Sequence, residues 1–180
     1  MTSFISPSLF IFVFLSLVIS DATTHSDIIL KTCKQCSDSS PNVNYTLCVS
    51  SLQSVPKSHR SNLRGLGVIS VELSITNAKQ VRSKVKNLLK ANPEDQFVKS
   101  SLETCLGLYT DAISGLMDSV KAIKSGHYDD ANTWISSAVD APGTCDDSFA
   151  EGNLNSPLVV EDKGFFQLAV ISLGITALLQ

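Results

Sequence analysis

Five unevenly spaced cysteines constrain the fold of this 180-residue chain more than any other feature. Three lie close together, at Cys33, Cys36 and Cys48, whereas Cys105 and Cys145 lie far along the chain. In a chain exported to an oxidising compartment, such cysteines are first expected to be disulfide partners rather than metal ligands or nucleophiles. We therefore predict two bridges and one spare thiol.

An apolar segment near the N-terminus predicts export. Residues 9–19 form an almost unbroken apolar run of signal-peptide length, which is too short to span a membrane. We expect residues 1–22 to be a signal peptide, cleaved in the region of Ser20 to Ala22, and residues 23–180 to form one domain. No membrane attachment is expected after cleavage. An N-terminal anchor helix is the alternative, which the short length disfavours.

The charged residues are scattered, and this excludes one class of partner. The chain has 14 basic and 17 acidic residues and a net charge of −3. Because a nucleic-acid-binding surface needs a basic stripe, no nucleic-acid partner is expected. The sequon Asn44-Tyr45-Thr46 is consistent with secretion and predicts a glycan on Asn44.

Apolar residues recur at steps of three and four along most of the remaining chain, which is typical of amphipathic helices. Long helices are predicted over residues 61–90 and 102–125. Shorter helices are predicted over residues 27–36, 45–52, 128–139 and 165–179. Because proline disrupts a helix, the helix from residue 128 is expected to stop at Ala141-Pro142-Gly143. Together these elements predict an all-α helical bundle.

The same spacing predicts which side chains face the core. Cys105 lies on the inward stripe of the helix over residues 102–125, together with Met117, and it can link that helix to the next. On the following helix, Trp134 is expected on the inward face beside Ile135.

The last segment of the sequence has two interpretations. One is a buried final helix that completes the bundle, with Leu168, Ile171 and Ile175 at core spacing. The other is a lipid-anchor attachment signal, since small residues over 152–156 and a polar spacer precede the apolar tail. Polar residues within the tail favour the buried helix, which the long helices also need to cover their apolar faces.

Catalytic and metal-binding patterns are not evident. The sequence contains no nucleophile elbow, Gly-rich phosphate loop or helical His/Glu metal motif. The aspartate pairs at 129–130 and 146–147 are expected at helix starts or in loops, where acids suit the helix dipole. Cys33-x-x-Cys36 lacks a second pair with ligand spacing, which argues against zinc and redox chemistry. We expect no catalytic residues, metal or cofactor.

The sequence alone leaves the N-terminal disulfide pairing open. A bridge between Cys33 and Cys48 would clamp the two short helices around the turn at Pro41 as a hairpin, with Cys36 unpaired. This arrangement is favoured, and a bridge between Cys36 and Cys48 is the alternative.

Several segments resemble the plant invertase/pectin methylesterase inhibitor family. Its opening is matched by ILKTC at 29–33, PNVNY at 41–45 and CVSSL at 48–52. Its third-cysteine and fourth-cysteine regions are matched by LETC at 102–105 and TCDDSF at 144–149. The resemblance extends over essentially all of residues 23–180, and it is strongest to the invertase-inhibitor branch that includes tree-pollen allergens.

The resemblance implies a four-helix up-down bundle extended by an N-terminal helical hairpin. It also implies disulfides between Cys33 and Cys48 and between Cys105 and Cys145. Cys36 is extra to the four-cysteine pattern and is the candidate free thiol.

The resemblance further implies a protein partner rather than a substrate. Family members act in the plant cell wall or vacuole by binding a carbohydrate-active enzyme and blocking its substrate cleft. The expected partner is a plant acid invertase, with a pectin methylesterase as the alternative. A secreted helical binding or allergen protein without inhibitory activity is the alternative from another class.

The resemblance suggests one contact segment. Invertase inhibitors of the cell wall use a Pro-Lys-Phe motif before the third-cysteine helix, and pectin methylesterase inhibitors use a face of the bundle. Before the third-cysteine helix, this chain has a stretched form of the motif, in which acids replace the lysine. The candidate target-contact loop comprises Pro93, Glu94, Asp95, Gln96 and Phe97. A plain helix-connecting loop is the alternative.

Overall fold

The computed structural model describes residues 28–180, and every regular element in that range is helical. The predicted signal peptide, residues 1–22, lies outside the described residues. Helix α1 covers described residues 28–39 and is followed by α2 and a short 3₁₀ helix. The helices after α1 are α2 (Tyr45–Gln53), the 3₁₀ helix (Pro56–Arg60), α3 (Leu63–Lys90), α4 (Gln96–Ser125), α5 (Tyr128–Ala150) and α6 (Val159–Ala177). The predicted all-α fold is confirmed.

The four long helices form an up-down bundle. Helix α3 packs against α4 and α6, and α5 packs against the same two helices, so that the four surround one core. The connections over residues 91–95, 126–127 and 151–158 are short, and they therefore join antiparallel neighbours. Their common core includes Val81, Leu102, Leu116, Ile135 and Phe165.

The helix ends follow from local chemistry. The side-chain oxygens of Asn62 and Asp95 accept backbone hydrogen bonds at the starts of α3 and α4. Helix α4 ends at Ser125 and is capped by Gly126, whose φ of 79° is the left-handed conformation that glycine tolerates.

Helices α1 and α2 form the N-terminal hairpin, which is linked by a disulfide between Cys33 and Cys48. Buried residues of the hairpin pack against the first half of α3 and the second half of α6. Cys36 is buried and free, and it faces Gly174 of α6, where an added Cβ would lie 3.3 Å from its Sγ. Burial raises the pKa of the Cys36 thiol to about 11, so the group remains protonated.

A second disulfide joins α4 to α5 between Cys105 and Cys145. One turn further along the pair, the hydroxyl of Ser101 donates to the carbonyl oxygen of Ser148 at 2.9 Å. Both bridges implied by the family resemblance are therefore present in the structure.

Helix α5 corrects one prediction from the sequence. It continues through Pro142 to Ala150 rather than stopping at Ala141-Pro142-Gly143. The missing donor of Pro142 removes one helical hydrogen bond, but Pro142 is buried, and Cys145 and Phe149 continue the core positions beyond it. Burial along α4 outweighs the local preference of proline. Asp146 and Asp147 consequently lie within a helix and not at its start.

Two predicted core positions are also wrong. Met117 is 48% exposed because it lies beside the inward stripe that Leu116 occupies. Trp134 is 46% exposed and covers Gly115 of α4, where the missing side chain leaves room for the indole.

Helix α6 begins at Val159, six residues before the predicted start at Phe165. Its acidic first turn, with Glu161 and Asp162, suits the N-terminal end of a helix dipole. The apolar remainder packs into the bundle, as expected for a buried final helix. Within residues 28–180, no helix combines the length and hydropathy needed to cross a membrane.

Candidate protein-binding surface

Large apolar side chains are exposed mainly at one end of the bundle. Of seven such residues in the described chain, four lie where the 91–95 and 151–158 connections meet the long helices. We name this region the open end and define it by these four residues, which are Phe97, Leu154, Val159 and Val160. Exposed apolar groups at one end of a bundle offer a protein-binding surface.

Phe97 is positioned by the start of α4. The Asp95 carboxylate accepts hydrogen bonds from the backbone N–H of Phe97 at 2.8 Å and of Val98 at 3.4 Å. The preceding turn contains Asn92 at a φ of 50°, a conformation that asparagine adopts more readily than most residues. The 39% exposed ring of Phe97 therefore projects from a capped helix terminus.

The ring of Phe97 lies against Gly152 in the α5–α6 connection. A Cβ at Gly152 would be 2.7 and 2.8 Å from the Cδ1 and Cζ atoms of that ring, so only glycine permits this contact without movement. The contact joins the first turn of α4 to the α5–α6 connection, which are more than 50 residues apart in sequence.

The α5–α6 connection is itself well ordered by hydrogen bonds. The carbonyl oxygen of Phe149 accepts from the N–H groups of Gly152 and Leu154, at 3.0 and 3.1 Å. Asn153 adopts a φ of 56°, which turns the chain so that Leu154 reaches the surface. Val159 and Val160 follow in the first turn of α6, and Val160 is 80% exposed.

Charged groups border the open end. Glu94 and Asp95 lie beside Phe97 in sequence, and both are exposed. Lys84 of α3 binds Glu161 of α6 at 2.6 Å. The hydrogen bond from Lys84 lowers the pKa of Glu161, so this carboxylate remains ionised.

A polar cluster lies buried behind the open end. Tyr109 of α4 donates a hydrogen bond to Asp162 of α6, and Asp146 of α5 lies beside the same carboxyl group. Burial raises the pKa of Asp162 to about 7, with the Asp146 charge acting in the same direction. Burial and the bond to Asp162 also raise the pKa of Tyr109.

The structure distributes the predicted site residues over two places. Pro93 to Asp95 lie in the α3–α4 connection, whereas Gln96 and Phe97 belong to the first turn of α4. Asn44 lies in the hairpin, where its side-chain oxygen accepts from the N–H of Leu47 at 2.9 Å and its side chain is exposed. Glycosylation of Asn44 stays a prediction.

Sequence reasoning missed the contribution of the α5–α6 connection. Leu154, Val159 and Val160 are apolar residues outside the helical periodicity, and this was the only signal available in the sequence. Their position at the same end of the molecule as Phe97 depends on the packed bundle. Among residues 28–180, no group of three or more His, Cys, Asp or Glu side chains could hold a metal ion.

The sequence comparisons identify the family. The model of the family described as plant invertase/pectin methylesterase inhibitor matches residues 27–175. The chain belongs to this family. Its members are inhibitors rather than enzymes, and this membership confirms the prediction that the chain is not an enzyme.

Two curated relatives represent both kinds of inhibitor. A protein of Platanus acerifolia named "Putative invertase inhibitor" is 42% identical over 97% of this chain and 98% of its own length. A pectinesterase inhibitor of Actinidia deliciosa is 40% identical over 63% of this chain and 60% of its own length.

A solved structure supports the fold independently. The crystal structure of a mutant form of a pectin methylesterase inhibitor from Arabidopsis superposes with a TM-score of 0.67, over 82% of this chain and 94% of that chain. Its sequence identity is 23%, so this likeness shows the shared helical fold.

Proposed function

We propose that this member of the inhibitor family is a secreted inhibitor of a plant acid invertase of the cell wall or vacuole. The observation that carries the proposal is the 42% identity to the Platanus relative over nearly the full length of both chains. Inhibition would be stoichiometric, by occlusion of the substrate cleft. Export as residues 23–180 and a glycan on Asn44 are part of the same proposal.

The open end is the proposed contact surface. Phe97 supplies an aromatic anchor, and Leu154, Val159 and Val160 supply apolar area around it. The Asp95 cap and the Phe97–Gly152 contact hold this surface before binding. A preformed surface loses little conformational entropy on association, which favours tight binding. The acids Glu94 and Asp95 would face basic or hydrogen-bond-donating groups of the partner.

Pectin methylesterase is the second candidate target. The Actinidia relative favours it, since that pectinesterase inhibitor is 40% identical to part of this chain. A secreted helical protein without inhibitory activity is the remaining alternative.

A paired inhibition assay tests these candidates. The oxidised protein, comprising residues 23–180, is titrated into an acid invertase and into a plant pectin methylesterase at acidic pH. Saturable loss of invertase activity near equimolar inhibitor is expected. Loss of esterase activity alone would assign the second target, and full activity of several isoforms of both enzymes would contradict an inhibitory function.

A matched pair of variants tests the contact surface. Phe97 and Tyr45 are both 39% exposed aromatic residues, but Tyr45 lies in the hairpin. Phe97→Ala is expected to weaken inhibition by about tenfold or more, the loss typical of a binding anchor. Tyr45→Ala should leave inhibition unchanged. Equal effects of the two variants, or no effect of Phe97→Ala, would remove the open end from the interface.

A further inference from the structure

Three buried carboxylate oxygens of the described chain lack a hydrogen-bond partner. One is Oε2 of Glu161, whose other oxygen binds Lys84, and the other two lie on neighbouring helices. These two are Oδ1 of Asp146 on α5 and Oδ2 of Asp162 on α6. Asp162 is only 1% exposed, so water cannot solvate it freely. An unpaired polar atom in such a position is destabilising and requires a physical explanation.

The orientation of Asp162 is fixed from its other side. Its Oδ1 accepts the hydrogen bond from the hydroxyl of Tyr109. Tyr109 is fully buried, and its ring meets Phe165 edge-on at a centroid distance of 5.3 Å. Oδ2 is therefore the oxygen that remains for Asp146, whose carboxyl group lies within hydrogen-bonding reach.

A single proton explains the orphan oxygens of both aspartates. Two ionised carboxylates in contact would repel each other and lose hydration, whereas a carboxylic acid donates a hydrogen bond to a neighbouring carboxylate. We propose that Asp146 and Asp162 share one proton, and that this buried proton site ties α5 to α6 behind the open end. The ligand of the site is the proton itself.

The charged groups around the site favour proton uptake. Asp146 faces Asp162 from α5 and Glu161 adjoins it on α6, and both raise its pKa. Tyr109 faces Asp162 from α4, and its hydrogen bond acts in the opposite direction by lowering that pKa. Lys84 on α3 forms an ion pair with Glu161, the residue before Asp162. Burial is the largest cause that raises the pKa of Asp162 from 3.8 to about 7, and the charges of Asp146 and Glu161 add to it.

The position of the site links protonation to the open end. Asp162 shares the first turn of α6 with Val159 and Val160. Asp146 lies one turn before Phe149, whose carbonyl oxygen holds the α5–α6 connection. Loss of the proton places two charges between the helices on which this connection is anchored. We therefore expect the connection to be firmly held at acidic pH and looser above neutral pH.

The pH dependence of stability has a definite sign. Because the pKa of Asp162 is raised on folding, the folded state binds more protons than the unfolded state between pH 3.8 and about 7. Stability from this group is fully present below that range and is lost as the pH rises through it. The melting temperature is expected to fall by about 5–10 °C between about pH 5 and pH 8 because of this site.

Amide variants test the site directly. Asp162→Asn retains an acceptor for Tyr109 and provides a permanent N–H donor for Asp146, and Asp146→Asn provides the reciprocal donor. In both variants, most of the fall in melting temperature between about pH 5 and pH 8 is expected to disappear. At the higher pH, both are expected to have a higher melting temperature than the unmodified protein. Asp147→Asn changes an exposed neighbour and serves as the matched control. The proposal is overturned if Asp162→Asn and Asp146→Asn both retain the full fall in melting temperature with pH.

A spectroscopic titration covers the case in which a variant does not fold. The side-chain carboxyl carbons of the unmodified protein are followed by NMR from acidic to neutral pH. One carboxyl group is expected to titrate near neutral pH and to disappear from the titration in the Asp162→Asn variant. Titration of every aspartate near its ordinary pKa would overturn the proposal.

The functional consequence rests on the proposed inhibition, whereas the proton site does not. The inhibition constant of the unmodified protein is compared with that of Asp162→Asn at acidic and neutral pH, with the same target. Asp162→Asn is expected to retain more inhibition at neutral pH. Equal pH profiles would contradict the link to the open end, while the melting and NMR experiments would still decide the proton site.

Discussion

The two ends of the bundle have opposite constructions. At the hairpin end, α1 and α2 cover the termini of α3 and α6, and a disulfide joins the two covering helices. Polar contacts there are direct, since Arg64 donates to the hydroxyl of Tyr128 at 2.8 Å and Gln180 donates to Asp129 at 2.8 Å. At the open end, apolar side chains remain exposed, and one oxygen each of Asp146, Glu161 and Asp162 is buried without a hydrogen-bond partner.

The two ends of the bundle therefore have different roles, one in stability and the other in binding. The hairpin covers apolar surface that would otherwise contact water, so it contributes to folding. No element of the described chain covers Phe97, Leu154, Val159 and Val160, which leaves their area available to a partner. Exposed apolar side chains grouped at one end of a molecule are typical of binding surfaces.

The largest expected effect concerns the two disulfides. Cys105 and Cys145 are separated by 40 residues, and Cys33 and Cys48 by 15. Loss of the bridge that closes the longer loop should lower the free energy of unfolding by about 4 kcal/mol, against about 3 kcal/mol for the hairpin bridge. Denaturant unfolding of the two double cysteine-to-alanine variants measures both values. A larger loss from the hairpin variant would mean that the Cys33–Cys48 bridge stabilises the protein more than the Cys105–Cys145 bridge does.

A smaller effect is expected from the buried tyrosine. Tyr109→Phe keeps the ring against Phe165 but leaves Oδ1 of Asp162 without its donor. The free energy of unfolding should fall by about 1–3 kcal/mol, the penalty for an unsatisfied buried group. Tyr45→Phe at the hairpin end is the control, since Tyr45 is exposed. Similar changes in both variants would argue against a specific role for the hydroxyl of Tyr109.

The bundle could be predicted from sequence because its signals are local. Steps of three and four residues specify the helices, and the caps at Asn62 and Asp95 lie where short polar side chains precede apolar runs. The prediction at Pro142 was wrong because packing against α4 outweighed a local rule. The family resemblance supplied both disulfide pairings, which the spacing of the cysteines alone left open.

The open end could be predicted only in part for the opposite reason. Phe97 was within the candidate loop, but its contact with Gly152 joins residues that are distant in sequence. The pairing of Asp146 with Asp162 likewise requires the register of α5 against α6. A sequence pattern shows that these residues are acidic or apolar, and it does not show what lies beside them in the folded chain.

The smallest stability change, and the sharpest test of the surface, involves two glycines of the α5 region. Gly152→Ala places a methyl group against the ring of Phe97, which must move, whereas Gly143 has open space around its Cα. Gly143→Ala lies inside α5 and should stabilise the protein by about 0.5–1 kcal/mol through helix propensity. Gly152→Ala should change stability by less than about 1 kcal/mol, because a half-exposed ring can rotate.

Inhibition should respond to these two variants in the opposite order. Gly152→Ala displaces Phe97 and is expected to weaken inhibition, while Gly143→Ala should leave it unchanged. Titration of both variants against the target identified in the paired assay, with melting temperatures measured alongside, checks this. Unchanged inhibition by Gly152→Ala would mean that the position of Phe97 is not important for binding. In that case the bundle face around Trp134, rather than the open end, would become the surface to examine.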